Sequence, residues 1–72
     1  MPSITPKKLI KFLRAKDFYI SRQSGSHVIL HSYSDSEKRV VVPLHNKDLK
    51  RGTLDSVLKD AGLEYEELFK KK

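Results

Sequence analysis

With 72 residues and 38% hydrophobic content, the chain is long enough for one compact domain spanning 1–72 and too short for two independent cores. It contains no cysteine, which excludes disulfides, thiolate zinc sites and thiol nucleophiles, and no apolar run approaches the ~18–20 residues that span a bilayer. The net charge of +6 is concentrated ahead of position 52, where eleven Lys/Arg face four Asp/Glu; residues 52–72 carry four against five.

Such a surface attracts polyanions through phosphate contacts, with RNA and DNA foremost and an anionic membrane or acidic protein served equally well. The amino terminus lacks the apolar core of a secretory signal, so a cytoplasmic location is expected.

Thr5-Pro6 is a helix start: Thr5 caps free amides, and proline at the first helical position wastes none. Ile4 and Leu9 are spaced for a hydrophobic staple, and Leu9, Ile10, Phe12 and Leu13 form an apolar stripe with Lys7, Lys8, Lys11 and Arg14 outside it. This predicts a helix of about three turns, ending near Lys16 and Asp17, with Asp17 in a turn conformation that suits glycine better. From Phe18 the period becomes two, with Phe18 and Ile20 on one face and Tyr19, Ser21 and Gln23 on the other. Gly25-Ser26 breaks this strand. "HVILHS" resumes it, with Val28 and Leu30 inward and His27, Ile29 and His31 outward.

The polar tip "SYSDSEK" predicts a turn, and "RVVVPL" a third strand that ends at Pro43. Asp48 is expected to cap a second helix carrying Leu54, Val57, Leu58 and Ala61 inward and closed by Gly62; the awkward Gly52 allows a start as late as Thr53. A last segment, "YEELF", folds Leu68 and Phe69 back onto the body. The expected architecture is α+β, in the order α-β-β-β-α of the double-stranded-RNA-binding domain, with both helices on one face of a three-stranded antiparallel sheet and the other face open.

His27 projects onto that open face. An imidazole can take and give a proton near neutrality; beside Arg22 and Arg39, which can hold a phosphate, it can deprotonate a ribose 2′-hydroxyl. The alternative is a surface strand histidine with no chemical task. His31, four residues on, lies about 13 Å away along an extended strand, too far to share a metal. His45 has no carboxylate at ligand spacing, so no metal or cofactor is expected, and it is read as a backbone or substrate-phosphate contact. Lys47, Lys50 and Arg51 gather at the start of the second helix, either as solvated charge or as a phosphate clamp. Tyr19, on the open face, is read as a cover for apolar neighbours or a stacking partner for a base.

Four segments, "KKLIKFLRAKDF", "RQSGSHVIL", "RVVVPLHNK" and "LKRGTLDSVLKDAGL", together make the chain resemble the HicA-type toxins of bacterial and archaeal toxin–antitoxin pairs. The resemblance implies a double-stranded-RNA-binding-domain-like fold and a metal-independent mRNA endoribonuclease whose catalytic residue is the histidine of Gly-Ser-His, here His27. It also implies a HicB-type antitoxin that masks the site, the toxin being monomeric when free and hetero-oligomeric with its partner. Arg22, Gly25, Ser26, Arg39, His45, Lys47, Lys50 and Arg51 are the expected RNA contacts. The chain departs from the family at Asp17, where glycine is common, and at Arg51, where proline is frequent. The competing readings are a non-catalytic RNA-binding module of the same fold and a protein-interaction module.

Overall fold

In the computed structural model, which describes residues 4–44 and 48–69, the Thr5 hydroxyl accepts the Lys8 amide at 3.3 Å and opens helix α1, Pro6–Arg14. Ile4 and Leu9 are both buried, as the staple requires, and the lysines and arginine of α1 face water. The helix stops at Arg14, short of the expected Lys16, because the chain must reverse: Asp17 adopts φ 77° and delivers Phe18 into the sheet.

Three strands follow, β1 (Phe18–Ser24), β2 (His27–Ser32) and β3 (Arg39–Pro43), antiparallel with β2 in the centre. Helix α2 (Arg51–Ala61) and the short α3 (Tyr65–Phe69) complete the order α-β-β-β-α with one added helix, an α+β fold. Both long helices cover the same sheet face: α1 packs on β1 and β3, α2 on β3. Between the layers lie Leu9, Leu13, Phe18, Val28, Leu30, Val40, Val42, Leu54, Val57 and Leu58, all nearly inaccessible. At ~1.5–3 kcal/mol per buried aliphatic side chain, this cluster is the main stabilising term of a chain whose net stability is of order 4–10 kcal/mol.

Two expectations fail here. Gln23, expected on the face of Tyr19, pairs with Val28 and lies on the inward side, because the register shifts between Ile20 and Arg22; Ile20 pairs with Leu30 on the side of Phe18 as expected, yet is 42% exposed where β1 runs past the helical layer. Asp48 does not open α2: the helix begins at Arg51 with Lys50 as N-cap and no side-chain cap bond. The reason is Leu49, which is buried and donates its amide to the Ile4 carbonyl at 2.9 Å, so helical geometry can begin only after it. The other end of α2 follows the sequence. Gly62 sits at φ 72°, its amide bonds back to Lys59, and the Leu63 amide bonds to the Leu58 carbonyl, a Schellman closure. Leu68 and Phe69 pack against the core as expected, with the Glu67 carboxylate accepting the Glu64 amide at 3.0 Å and meeting Lys16 at 3.2 Å.

Asp17 also organises the turn between β2 and β3. Its carboxylate accepts the Ser32 hydroxyl at 3.1 Å, the Ser34 amide at 3.2 Å and the Ser34 hydroxyl, while its carbonyl accepts the Tyr33 amide at 2.8 Å. The Ser32 hydroxyl in turn accepts the amides of Ser34 and Asp35. Glycine at position 17 would relax the backbone but remove this anchor. The Ser34 hydroxyl above all, then Ser32, the Ser34 amide and the charge of Lys38, outweigh partial desolvation and hold the carboxyl below its ordinary value of 3.8. A lowered folded-state value makes the stabilisation complete above the ordinary range and removes it as pH falls through the lowered one. Asp17→Asn, which tolerates the same backbone, is therefore expected to melt at a lower temperature than the parent at pH 7, with the gap closing below pH 3.8; thermal unfolding followed by circular dichroism across pH 2–7 measures it, and a constant gap would refute the assignment.

Candidate active site on the open sheet face

The Gly-Ser-His segment is the tip of the β1–β2 hairpin. Ser24 pairs with His27, leaving Gly25 and Ser26 as a two-residue loop, with positive φ at Gly25 and not at Ser26. That pattern is a type II′ turn, whose first central position favours glycine and whose twist matches the flanking strands. The Gln23 side-chain amide donates to the Gly25 carbonyl at 3.4 Å, and the Leu44 amide donates to the Ser26 carbonyl, tying the turn to the exit of β3. His27 leaves this turn exposed, opposite Ser24 on one side and Pro43 on the other.

A bulge decides what stands beside it. Strict alternation along β1 would put Arg22 on the same side as Phe18, facing away from His27. The register shifts between Ile20 and Arg22, so that Arg22 pairs with Ile29, and paired residues share a face. The open face is thus a grid of three rows: Ser24, His27, Pro43; Arg22, Ile29, Val41; Tyr19, His31, Arg39. Arg22 is the diagonal neighbour of His27, while Arg39 stands opposite His31, two rows away. The grid holds two guanidiniums, two imidazoles and no carboxylate, a face suited to a polyanion.

Of the expected site residues, the structure brings together His27, Arg22, Gly25 and Ser26. Lys50 is exposed at the head of α2, in the helical layer. Arg51 is engaged there, 3.6 Å from Asp55 and over the Tyr65 ring at 5.2 Å. His45 and Lys47 lie outside the described residues. Tyr33 escaped the sequence reading because it falls in a polar turn. The signal was present: it continues the outward phase His27, Ile29, His31 by one more step, and its ring is 71% exposed with its centroid 4.7 Å from that of Tyr19.

Among the described residues no group of three or more His, Cys, Asp or Glu is placed to hold a metal ion, and no helix is long and apolar enough to cross a membrane. Fold and surface define a small basic α-β-β-β-α module with one sheet face packed and the other presenting imidazole and guanidinium groups. The family model described as "HicA toxin of bacterial toxin-antitoxin" matches residues 6–63, and the chain belongs to that family of toxins, which work in partnership with an antitoxin. No curated protein matches it significantly.

The turn geometry yields a pair of substitutions with opposite signs. Nothing lies within 4 Å of a Cβ added at Gly25, so Gly25→Ala meets only the positive φ of 58°, which costs ~1–2 kcal/mol. Gly52→Ala, in α2 and equally uncrowded, is expected to stabilise by ~0.5–1 kcal/mol. Urea unfolding midpoints read both.

Proposed function

We propose that the protein is a metal-independent endoribonuclease acting on cytoplasmic mRNA, with His27 as its catalytic residue. The observation that carries this reading is the bulge-driven placement of Arg22 beside an exposed, turn-anchored His27, in three rows of paired residues that include no carboxylate; membership of the toxin family supports it. RNA brings its own nucleophile. His27 accepts the proton of a ribose 2′-hydroxyl, the 2′-oxygen bonds to the adjacent phosphorus, and the bond from phosphorus to the 5′-oxygen breaks. The leaving 5′-oxygen takes its proton from water and the resulting hydroxide takes the proton held on His27, so the imidazole is regenerated and the products carry a 2′,3′-cyclic phosphate and a 5′-hydroxyl. Arg22 holds the phosphate and offsets the charge that builds on its oxygens. Gly25 and Ser26 give the backbone its approach to His27, and Arg39 holds RNA further along the sheet.

A HicB-type antitoxin silences the toxin by covering this open face, turning a monomer into a hetero-oligomer. Lys50 and Arg51 belong to the opposite layer, and Arg51 is occupied by Asp55 and Tyr65; neither enters the catalytic step.

Long RNA incubated with the purified protein in EDTA is expected to be cut, and His27→Ala to slow cleavage by at least about 100-fold while keeping the parent's circular dichroism spectrum and abolishing growth arrest on expression. Binding without cleavage would turn the reading into a non-catalytic RNA-binding module, and growth arrest by His27→Ala would remove His27 from the site. The grid ranks the arginines as well: Arg22→Ala is expected to lower the single-turnover rate roughly tenfold or more, and Arg39→Ala distinctly less, with single-turnover cleavage at saturating protein as the readout.

A further inference from the structure

The open face has a second feature that the cleavage chemistry leaves unused. At the end of the sheet away from His27, three rings run in sequence: Tyr33 against Tyr19 at 4.7 Å between centroids, and Tyr19 against His31 at 6.3 Å. Arg39 stands opposite His31 and completes the row. Tyr33 is 71% exposed and Tyr19 37%. Exposed aromatic side chains of this size normally find cover. Here the fold fixes them in the open instead. The Tyr33 backbone is held to the Asp17 carbonyl, and its neighbours Ser32 and Ser34 are both tied to the Asp17 carboxylate, so the ring is carried on a rigid turn rather than a loose loop tip.

From these placements we infer that Tyr33, Tyr19 and His31 form a base-stacking platform, flanked by Arg39, that selects unpaired, single-stranded RNA for the site at His27. The inference rests on the RNA-cleaving reading and specifies its substrate class. Charge complementarity points to RNA as the occupant: the three paired rows carry Arg22 and Arg39 and include no carboxylate, on a chain of net charge +6. Stacking on rings requires bases splayed out of a helix, which a duplex does not offer. The platform lies four residues along β2 from His27, about 13 Å, so one strand crossing the sheet can rest a base on the rings and present a phosphodiester to the imidazole a few nucleotides away.

The test uses the full chain carrying His27→Ala, which separates binding from cleavage, and fluorescence anisotropy with a labelled single-stranded RNA of about ten nucleotides. The same sequence annealed into a duplex and a matched abasic strand complete the set. Tyr33→Ala is expected to weaken binding of the single strand roughly tenfold or more, to leave binding of the abasic strand unchanged, and to be rescued by Tyr33→Phe; the single strand is expected to bind more tightly than the duplex. Equal binding by Tyr33→Ala and its parent, or an equal loss on the abasic strand, overturns the platform even if the wild type cuts RNA. Base-dependent loss together with a wild type that cuts nothing upholds the platform and overturns only the nuclease reading. No binding of any RNA overturns both. Unchanged RNA binding with loss of antitoxin co-purification assigns the rings to a protein partner and refutes the inference.

Discussion

The central strand β2 is the constraint from which the rest of the structure follows. It is hydrogen-bonded on both sides, so its residues have only two directions left to point. Val28, Leu30 and Ser32 go into the helical layer, and His27, Ile29 and His31 go out. Covering one face satisfies the hydrophobic demand of a small chain and leaves no helix for the other. His27 is therefore exposed, and His31 half-exposed, because the valine and leucine between them are buried. The candidate site and the core are set by alternate residues of a single strand.

The bulge at Ser21 follows from the same strand. The hairpin turn pairs Ser24 with His27, and the core requires Phe18 inward, opposite Ser32. Six residue steps lead back from Ser24 to Phe18, but only five lead from His27 to Ser32, so one residue of β1 must drop out of the ladder. Its loss reverses the phase of the strand between its two ends. Arg22 reaches the open face through this mismatch, although nothing about the residues around it asks for a bulge.

That example marks the boundary of what the chain discloses before it is folded. The caps at Thr5 and Gly62, the apolar stripe of α1 and the alternation in β2 are local and legible, because each depends on residues within one or two turns. The positive φ of Asp17 was legible too, from the reversal it had to make; its carboxylate anchor was not, because Ser32 and Ser34 meet it only once the sheet has formed. The start of α2 was misread for the same kind of reason. Asp48 has a capping side chain, but Leu49 is drawn into the core against Ile4, and burial outweighs the cap. At the candidate site, His27 stood out by sequence and by family likeness. Its neighbour Arg22 depended on the bulge, while the phase of β2 carried Tyr33 onto the same face.

The two margins of the sheet complete the picture. A sheet with an uncovered face and two free margins is an invitation to polymerise, since each outer strand offers unpaired amides and carbonyls to another copy. Here β3 is five residues long and ends in a proline with no amide to give, and β1 is kinked by the bulge at Ser21. The irregularity that turns Arg22 toward His27 thus also spoils the template for a fourth strand. The open sheet face can thus stand in water without the chain zipping onto its own kind.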